Sequence, residues 1–176
     1  MPILLNRMPF PEQASEIVVR GERVRVHADQ IIVWISLRLP WLTEPSPATL
    51  PFLTILDTGH NYSFAIAARH LTEWAGLNPE ALDARGSVRD RGRRIALRLA
   101  NIWVHANESG KREEFALLGP VPLKAKQGIA VYPEGDFPRL PILGLRAIAE
   151  NGLVLKVDGI RREATLRTPT RWWPFS

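Results

Sequence analysis

The stretch Phe52-Leu53-Thr54-Ile55-Leu56-Asp57-Thr58-Gly59 is the part of the chain from which the rest is best interpreted. Its first five residues are apolar or β-branched, which is typical of a buried strand. Asp57 follows directly, and a carboxylate at the end of a core strand must be hydrogen-bonded, paired or functional, because burying a lone charge is very costly. Thr58 can hydrogen-bond to backbone, and Gly59 permits a tight turn. We therefore expect the chemistry of this protein at Asp57.

The composition is that of an ordinary soluble globular protein. The chain has 176 residues, of which 45% are hydrophobic and 23% charged, and we expect one domain over residues 1–176. The absence of cysteine excludes disulfides, thiol nucleophiles and thiolate metal sites. The start of the chain has too short an apolar run for a signal peptide, and no stretch is long enough for a membrane span. These features predict a cytoplasmic protein without a membrane partner.

Most of the chain has the pattern of strands. After an extended N-terminal arm at residues 1–15, two short apolar runs flank Gly21-Glu22 and predict a hairpin. Residues 30–39 are nearly all apolar at first and predict a long central strand. Residues 94–105 predict another long strand, with residues 114–118 pairing back against it. Many short strands without a βαβ rhythm favour a mainly-β barrel or sandwich.

Helical signals are few and short. After a strand at residues 60–66, the period changes and predicts a helix from Ala67, ended by Gly76. We expect His70, on the apolar face of that helix, to be a packed residue and not a metal ligand. Residues 145–151 predict two helical turns with Gly152 at C′. Residues 153–166 predict a hairpin with a type I′ turn at Asp158-Gly159.

The sequence resembles the retropepsin-like aspartic proteases at two places. The apolar run ending in Asp57-Thr58-Gly59 is similar to the active-site signature of that family, and Ile142-Leu143-Gly144 before a short helix is similar to its second signature. The resemblance covers about residues 50–168. It implies a closed β-barrel with one helix after the Asp-Thr-Gly strand and a short helix after Gly144.

The resemblance also implies a function. Asp57, Thr58 and Gly59 would be the catalytic residues of an aspartic endopeptidase that hydrolyses a polypeptide substrate without metal or cofactor. Two carboxylates that share one proton supply both the base and the acid. Because the chain has one Asp-Thr-Gly, a working pair requires a homodimer in which each copy contributes Asp57. By the same resemblance, Thr58 braces the opposing loop and Gly59 lets backbone approach the pair.

Substrate-binding residues are expected in two segments. Ile142 and Gly144 lie in the second signature, which in the family packs beside the catalytic loop. The glycine-bounded segment 86–92 is the candidate for the β-hairpin flap that closes over substrate, with Ser87, Val88 and Arg89 in contact with it. The alternative for this segment is an ordinary surface hairpin. The aromatic tail at Trp172-Trp173 is a candidate for the dimer interface.

One residue departs from the family pattern. The position after Asp-Thr-Gly is usually a small residue, whereas here it is His60, which would lower the pKa values of the pair if it were charged. The chain is then either an active enzyme with altered pH dependence or a relative whose site has drifted, unless His60 points outward. An inactive dimerisation or peptide-binding domain is therefore one alternative function.

The other alternative is a basic nucleic-acid-binding β-barrel. Arginines concentrate between Arg85 and Arg98, which is the kind of patch that binds nucleic acid. No stacking aromatic residue is interleaved with them, so a solvated hairpin is the favoured interpretation and nucleic acid the less favoured partner.

Overall fold

The computed structural model describes residues 2–46, 48–133 and 137–169. The described chain is mainly β, as the sequence predicts, with two α-helices and a 3₁₀ turn at Pro79–Ala81. The strands are β1 (Ile3–Pro9), β2 (Ser15–Val19), β3 (Glu22–Val26), β4 (Ile31–Arg38), β5 (Phe52–Asp57), β6 (Phe64–Ala67), β7 (Ala84–Asp90), β8 (Arg93–Arg98), β9 (Asn101–His105), β10 (Val121–Leu123), β11 (Ile129–Tyr132), β12 (Ile142–Gly144), β13 (Val154–Asp158) and β14 (Glu163–Arg167). The helices are α1 (Ala68–Glu73) and α2 (Leu145–Glu150).

Nine strands form the main sheet in the order β10-β9-β4-β5-β12-β6-β11-β8-β7. Within the described ranges this sheet is open, with β10 and β7 at its edges, so the expected closed barrel is not found. The two edges are poor partners for each other: β10 has three residues, including Pro122, which has no amide hydrogen, and β7 carries an irregular register near Gly86. The central place of β4, between β9 and β5, is confirmed.

The N-terminal segment contains a paired strand. β1 pairs with β14, which also pairs with β13, in a separate three-stranded sheet. Leu4, Leu5 and Met8 of β1 are fully buried in the main core. Removing these apolar side chains from water stabilises the position of the strand. Within the expected extended arm at residues 1–15, residues 3–9 thus form a strand that is paired and buried.

Three predictions for the strands before residue 120 have different outcomes. The first hairpin is β2–β3, but its turn is Arg20-Gly21, and both residues have the positive φ angles of a type I′ turn. The predicted strand at residues 94–105 is two strands, β8 and β9. Residues 114–118 form a loop and not a strand, because the Asn107 side chain binds the carbonyls of Lys111 and Glu114 and holds the chain in a turn.

The C-terminal third follows its predictions more closely. α2 lies after Gly144 as expected, and Gly152 has φ +58° just beyond the helix. The hairpin is β13–β14, but the type I′ turn at Asp158-Gly159 is wrong. Asp158 pairs with Glu163 across a four-residue loop, and its carboxylate accepts the N–H groups of Ile160 and Arg161. That side-chain capping stabilises the longer turn instead. The tail at Trp172-Trp173 lies outside the described residues.

Candidate functional site

Asp57 stands where a buried strand reaches the surface. The first five residues of β5 are buried, while Asp57, Thr58 and Gly59 are exposed. β5 pairs with β4 on one side and runs parallel to β12 on the other, so it is held on both sides up to its last residue. The sheet thus presents one carboxylate to solvent without burying its charge.

The loop after β5 is closed by short hydrogen bonds. Asp57 Oδ1 accepts the amide hydrogen of Gly59 at 2.8 Å, and the Asp57 carbonyl accepts that of His60 at 3.2 Å. Gly59 does not have a positive φ angle, so the backbone conformation does not require glycine here. A side chain would be crowded instead, because a Cβ at this position would come within 3.2 Å of Asp57 Oδ1. Among the described residues, nothing else hydrogen-bonds to the Asp57 carboxylate or to the Thr58 side chain.

Gly144 lies directly beside Asp57 in the parallel register of β12 and β5. Its amide donates to the Ser63 carbonyl at 3.1 Å, and the next amide, of Leu145, donates to the His60 carbonyl at 3.2 Å. A Cβ on Gly144 would fall 2.0 Å from the Tyr62 carbonyl oxygen and 2.7 Å from that of His60. Only glycine fits here, so the second signature and the Asp57 loop form one unit.

The His60 side chain is half-buried and makes no hydrogen bond to the Asp57 carboxylate. Its ring lies edge-on to Tyr62 at 5.3 Å and 6.5 Å from the ring of Phe137. Burial lowers the pKa of the imidazole, although Asp57 and Asp90 act in the opposite direction. The ring is therefore neutral at neutral pH and places no full positive charge beside Asp57. Its Nε2 atom is buried without a partner in the described part of the chain.

The flap candidate is a real hairpin that approaches this loop. β7 and β8 pair up to Asp90 and Arg93, and Arg91-Gly92 form a type I′ turn with φ angles of 47° and 78°. Val88 turns inward and packs against a small apolar cluster that includes Ile142. Ser87 and Arg89 are exposed on the other face, where Ser87 Oγ accepts from Arg94 Nε at 2.8 Å. Of the three predicted flap residues, the structure thus places only Val88 against the apolar cluster to which the predicted Ile142 belongs.

Sequence reasoning missed the residues that fasten this hairpin. The Tyr132 hydroxyl donates to Asp90 Oδ2 at 2.8 Å, and burial together with this carboxylate raises the pKa of the tyrosine. The Arg91 guanidinium lies 4.8 Å from the centre of the Phe137 ring, which packs on Tyr132 at 5.1 Å. A sequence signal for Tyr132 does exist. It is a polar group at the end of the apolar strand β11, just as Asp57 is at the end of β5.

Two other predicted or prominent features lie apart from Asp57. His70 is only 3% exposed and stacks on Trp74 at 4.0 Å, which confirms that it is a packed residue. A cavity of about 430 Å³ is lined mainly by apolar side chains of β2 and by Trp34, Leu50 and Phe115. None of its lining residues belongs to the Asp57 loop or to the β7–β8 hairpin.

No described helix is long and apolar enough to cross a lipid bilayer. Comparison of the chain with models of known protein families gives no match. A comparison with curated proteins gives none either.

Proposed function

We propose that this chain is a retropepsin-like aspartic endopeptidase that acts as a homodimer. The observation that carries the proposal is the pairing of Asp57 with Gly144 at the ends of two parallel apolar strands. A carboxylate that is exposed there, with one oxygen already bonded to the Gly59 amide, is suited to meet a second carboxylate. The neighbouring β7–β8 hairpin supplies a candidate flap.

A single Asp57 cannot perform the hydrolysis alone, because the reaction needs a base and an acid at once. In the proposed dimer, Asp57 of one copy is ionised and Asp57 of the other is protonated, since two such close charges do not both form easily. The apparent pKa values then belong to the pair and not to one residue.

The proposed reaction conserves atoms and protons. The ionised carboxylate takes a proton from water as the water oxygen bonds to the peptide carbonyl carbon, and the protonated carboxyl gives its proton to the carbonyl oxygen. The carboxyl that took the proton from water then gives it to the amide nitrogen, and the other carboxylate takes a proton from a hydroxyl of the resulting diol. The carbon–nitrogen bond breaks, the amine leaves, and the pair is back in its starting protonation state. Within each copy, the Gly59 amide orients Asp57 Oδ1, which leaves the other oxygen for water and for the second carboxylate.

The test is loss of cleavage in Asp57→Asn. We expect the variant to cleave a denatured protein substrate at least about 100-fold more slowly, as is usual when a general acid–base group is removed. Asp83→Asn, at an exposed aspartate outside the loop, is the control and should cleave at the wild-type rate. Equal cleavage by Asp57→Asn and the wild type would show that Asp57 is not catalytic.

One observation favours a second candidate, a peptide-binding domain of the same fold without catalysis. His60 occupies the position where the family has a small residue, and its half-buried ring fills space beside the loop. A statine-type transition-state mimic separates the two candidates. Tight binding by the wild type that is lost in Asp57→Asn supports the protease, whereas a chain that binds extended peptides but neither cleaves them nor binds the mimic is the inactive relative.

A further inference from the structure

β7 is a seven-residue strand at the edge of the main sheet. Within the described residues it pairs with β8 on one side only, so the backbone groups on its outer side have no strand partner. Such an edge can add an extended polypeptide as a further strand. The surface beside the strand is also uncrowded at Gly86, where an added Cβ would meet nothing within 4 Å.

The outer face of this hairpin carries positive charge that no carboxylate in the described ranges pairs with. Arg89 lies directly opposite Arg94 in the antiparallel register, and both are exposed. No described carboxylate lies within 4.0 Å of either guanidinium; Arg94 instead donates to Ser87. Like charges directly across a strand pair destabilise it, so a negative group placed over the two arginines would relieve this repulsion. Guanidinium groups also match carboxylates in geometry.

The inner face of the same hairpin is anchored. Val88 packs on the cluster that contains Ile142, and Asp90 accepts from Tyr132. The Phe137 ring lies 6.5 Å from the His60 ring and 4.8 Å from the guanidinium of Arg91, the residue that follows β7, so the end of β7 lies near the Asp57 loop. An added strand along β7 would therefore lead toward Asp57.

We infer that β7 binds extended polypeptide segments rich in aspartate and glutamate, with acidic side chains over Arg89 and Arg94. The inference rests on the proposed function in one respect: if the chain is a protease, segments of this kind are its preferred substrates. A polypeptide suits the surface better than single-stranded nucleic acid does. The unpaired edge offers backbone hydrogen bonds, and residues 84–98 contain no aromatic side chain on which a base would stack.

The experiment measures binding of two fluorescent decapeptides by anisotropy. One alternates Glu and Thr, the other alternates Gln and Thr, and both are titrated with full-length Asp57→Asn so that cleavage does not interfere. We expect the acidic peptide to bind about tenfold more tightly, as two exposed ion pairs allow, with an advantage that shrinks as salt is added. Adding Arg89→Gln and Arg94→Gln should remove the advantage.

The control changes Arg23→Gln and Arg25→Gln, two exposed arginines on the β2–β3 hairpin, and should leave the advantage intact. Equal binding of the two peptides, or an advantage that survives loss of Arg89 and Arg94, would overturn the inference. Tighter binding of a 15-nucleotide single-stranded DNA than of the acidic peptide would also overturn it, if that binding disappears when the same two arginines are replaced. Failure of the wild type to cleave any peptide would instead count against the proposed function, because the binding measurement does not depend on cleavage.

Discussion

Gly144 shows how strongly a single position constrains the site. A methyl group there would overlap the carbonyl oxygens of Tyr62 and His60, which are backbone atoms fixed by the Asp57 loop and by the start of α2. Backbone cannot swing aside as a flexible side chain can. The glycine is therefore required by packing around Asp57, and its φ angle of −93° shows that it is not required by chain conformation.

We predict that Gly144→Ala destabilises the protein by about 1–3 kcal/mol and disrupts the Asp57 loop, as overpacking of a tight site does. Chemical denaturation measures the free energy of unfolding. Gly159→Ala is the matched control, since nothing lies within 4 Å of a Cβ there, and should change the stability by less than about 0.5 kcal/mol. If both variants unfold alike, the close approach seen at Gly144 does not hold.

The buried His70 makes the stability depend on pH. Burial first, and then the neighbouring Arg69, lower its pKa to about 4, while Glu22 opposes them. The unfolded chain binds a proton at this residue below about pH 6.5, whereas the folded chain does not until about pH 4. Because the unfolded state binds more protons in that window, the free energy of unfolding falls as the pH drops from 6.5 to 4.

We predict that His70→Gln weakens this decline, by up to about 3 kcal/mol over the window. Denaturant unfolding at several pH values gives the slope. His27→Gln, at an exposed histidine, is the control and should keep the wild-type decline. A slope that His70→Gln leaves unchanged would mean that other groups carry the pH dependence, for example His105, whose pKa burial also lowers.

At the scale of elements, the β7–β8 hairpin has one face that contacts the rest of the protein and one face that is exposed to solvent. Its type I′ turn at Arg91-Gly92 follows from local backbone preferences, but its position depends on contacts with distant residues. Tyr132 and Phe137 hold its tip through a hydrogen bond to Asp90 and a cation–π contact with Arg91. A flap that opens for substrate must break these contacts first.

We predict that Tyr132→Phe loosens the hairpin. Loss of a hydrogen bond to a carboxylate should cost about 1.5–3 kcal/mol locally, so amide hydrogens in residues 84–98 should exchange roughly tenfold faster or more. Mass spectrometry of deuterium uptake measures this by segment. Tyr62→Phe is the control, because the Tyr62 hydroxyl makes no hydrogen bond to described residues and its loss should leave the exchange unchanged. Equal uptake in Tyr132→Phe and the wild type would mean that the contact does not hold the hairpin.

At the scale of the molecule, the proposed activity belongs to a pair of chains. Each chain has one Asp-Thr-Gly, and one exposed Asp57 offers half of the acid–base pair. A mixed dimer with one Asp57→Asn copy would lack either the base or the acid. Its formation would remove wild-type chains from active pairs.

We predict that adding an equal amount of Asp57→Asn to the wild type, with time for subunit exchange, lowers the total cleavage rate to about half. Adding the same amount of Asp83→Asn instead should raise the rate, because that control chain is active. A rate that Asp57→Asn leaves unchanged would indicate either a monomeric catalyst or dimers that do not exchange. Sedimentation at assay concentration distinguishes these two cases.

Local patterns in the sequence were enough to predict the β5 strand that ends at Asp57, the β2–β3 and β13–β14 hairpins and the two helices, whereas the exposure of Asp57 is a finding of the structure. These features depend on patterns formed by residues close together in the chain, such as an apolar run, a glycine between two apolar runs or a helical period. Where a nearby side chain competed for the backbone, as Asp158 does in its turn and Asn107 does before residues 114–118, the same patterns predicted the wrong local structure.

The burial of β1 against β14, the open sheet and the grouping of His60, Asp90, Tyr132 and Phe137 were decided by the tertiary structure alone. The physical reason is separation along the chain. Strand pairing and side-chain contacts between distant residues depend on which apolar faces cover one another, and a pattern that repeats every two or four residues carries no information about that choice. Asp57 could thus be recognised from its own neighbourhood, whereas the close packing of Gly144 and the hairpin beside it depends on the fold.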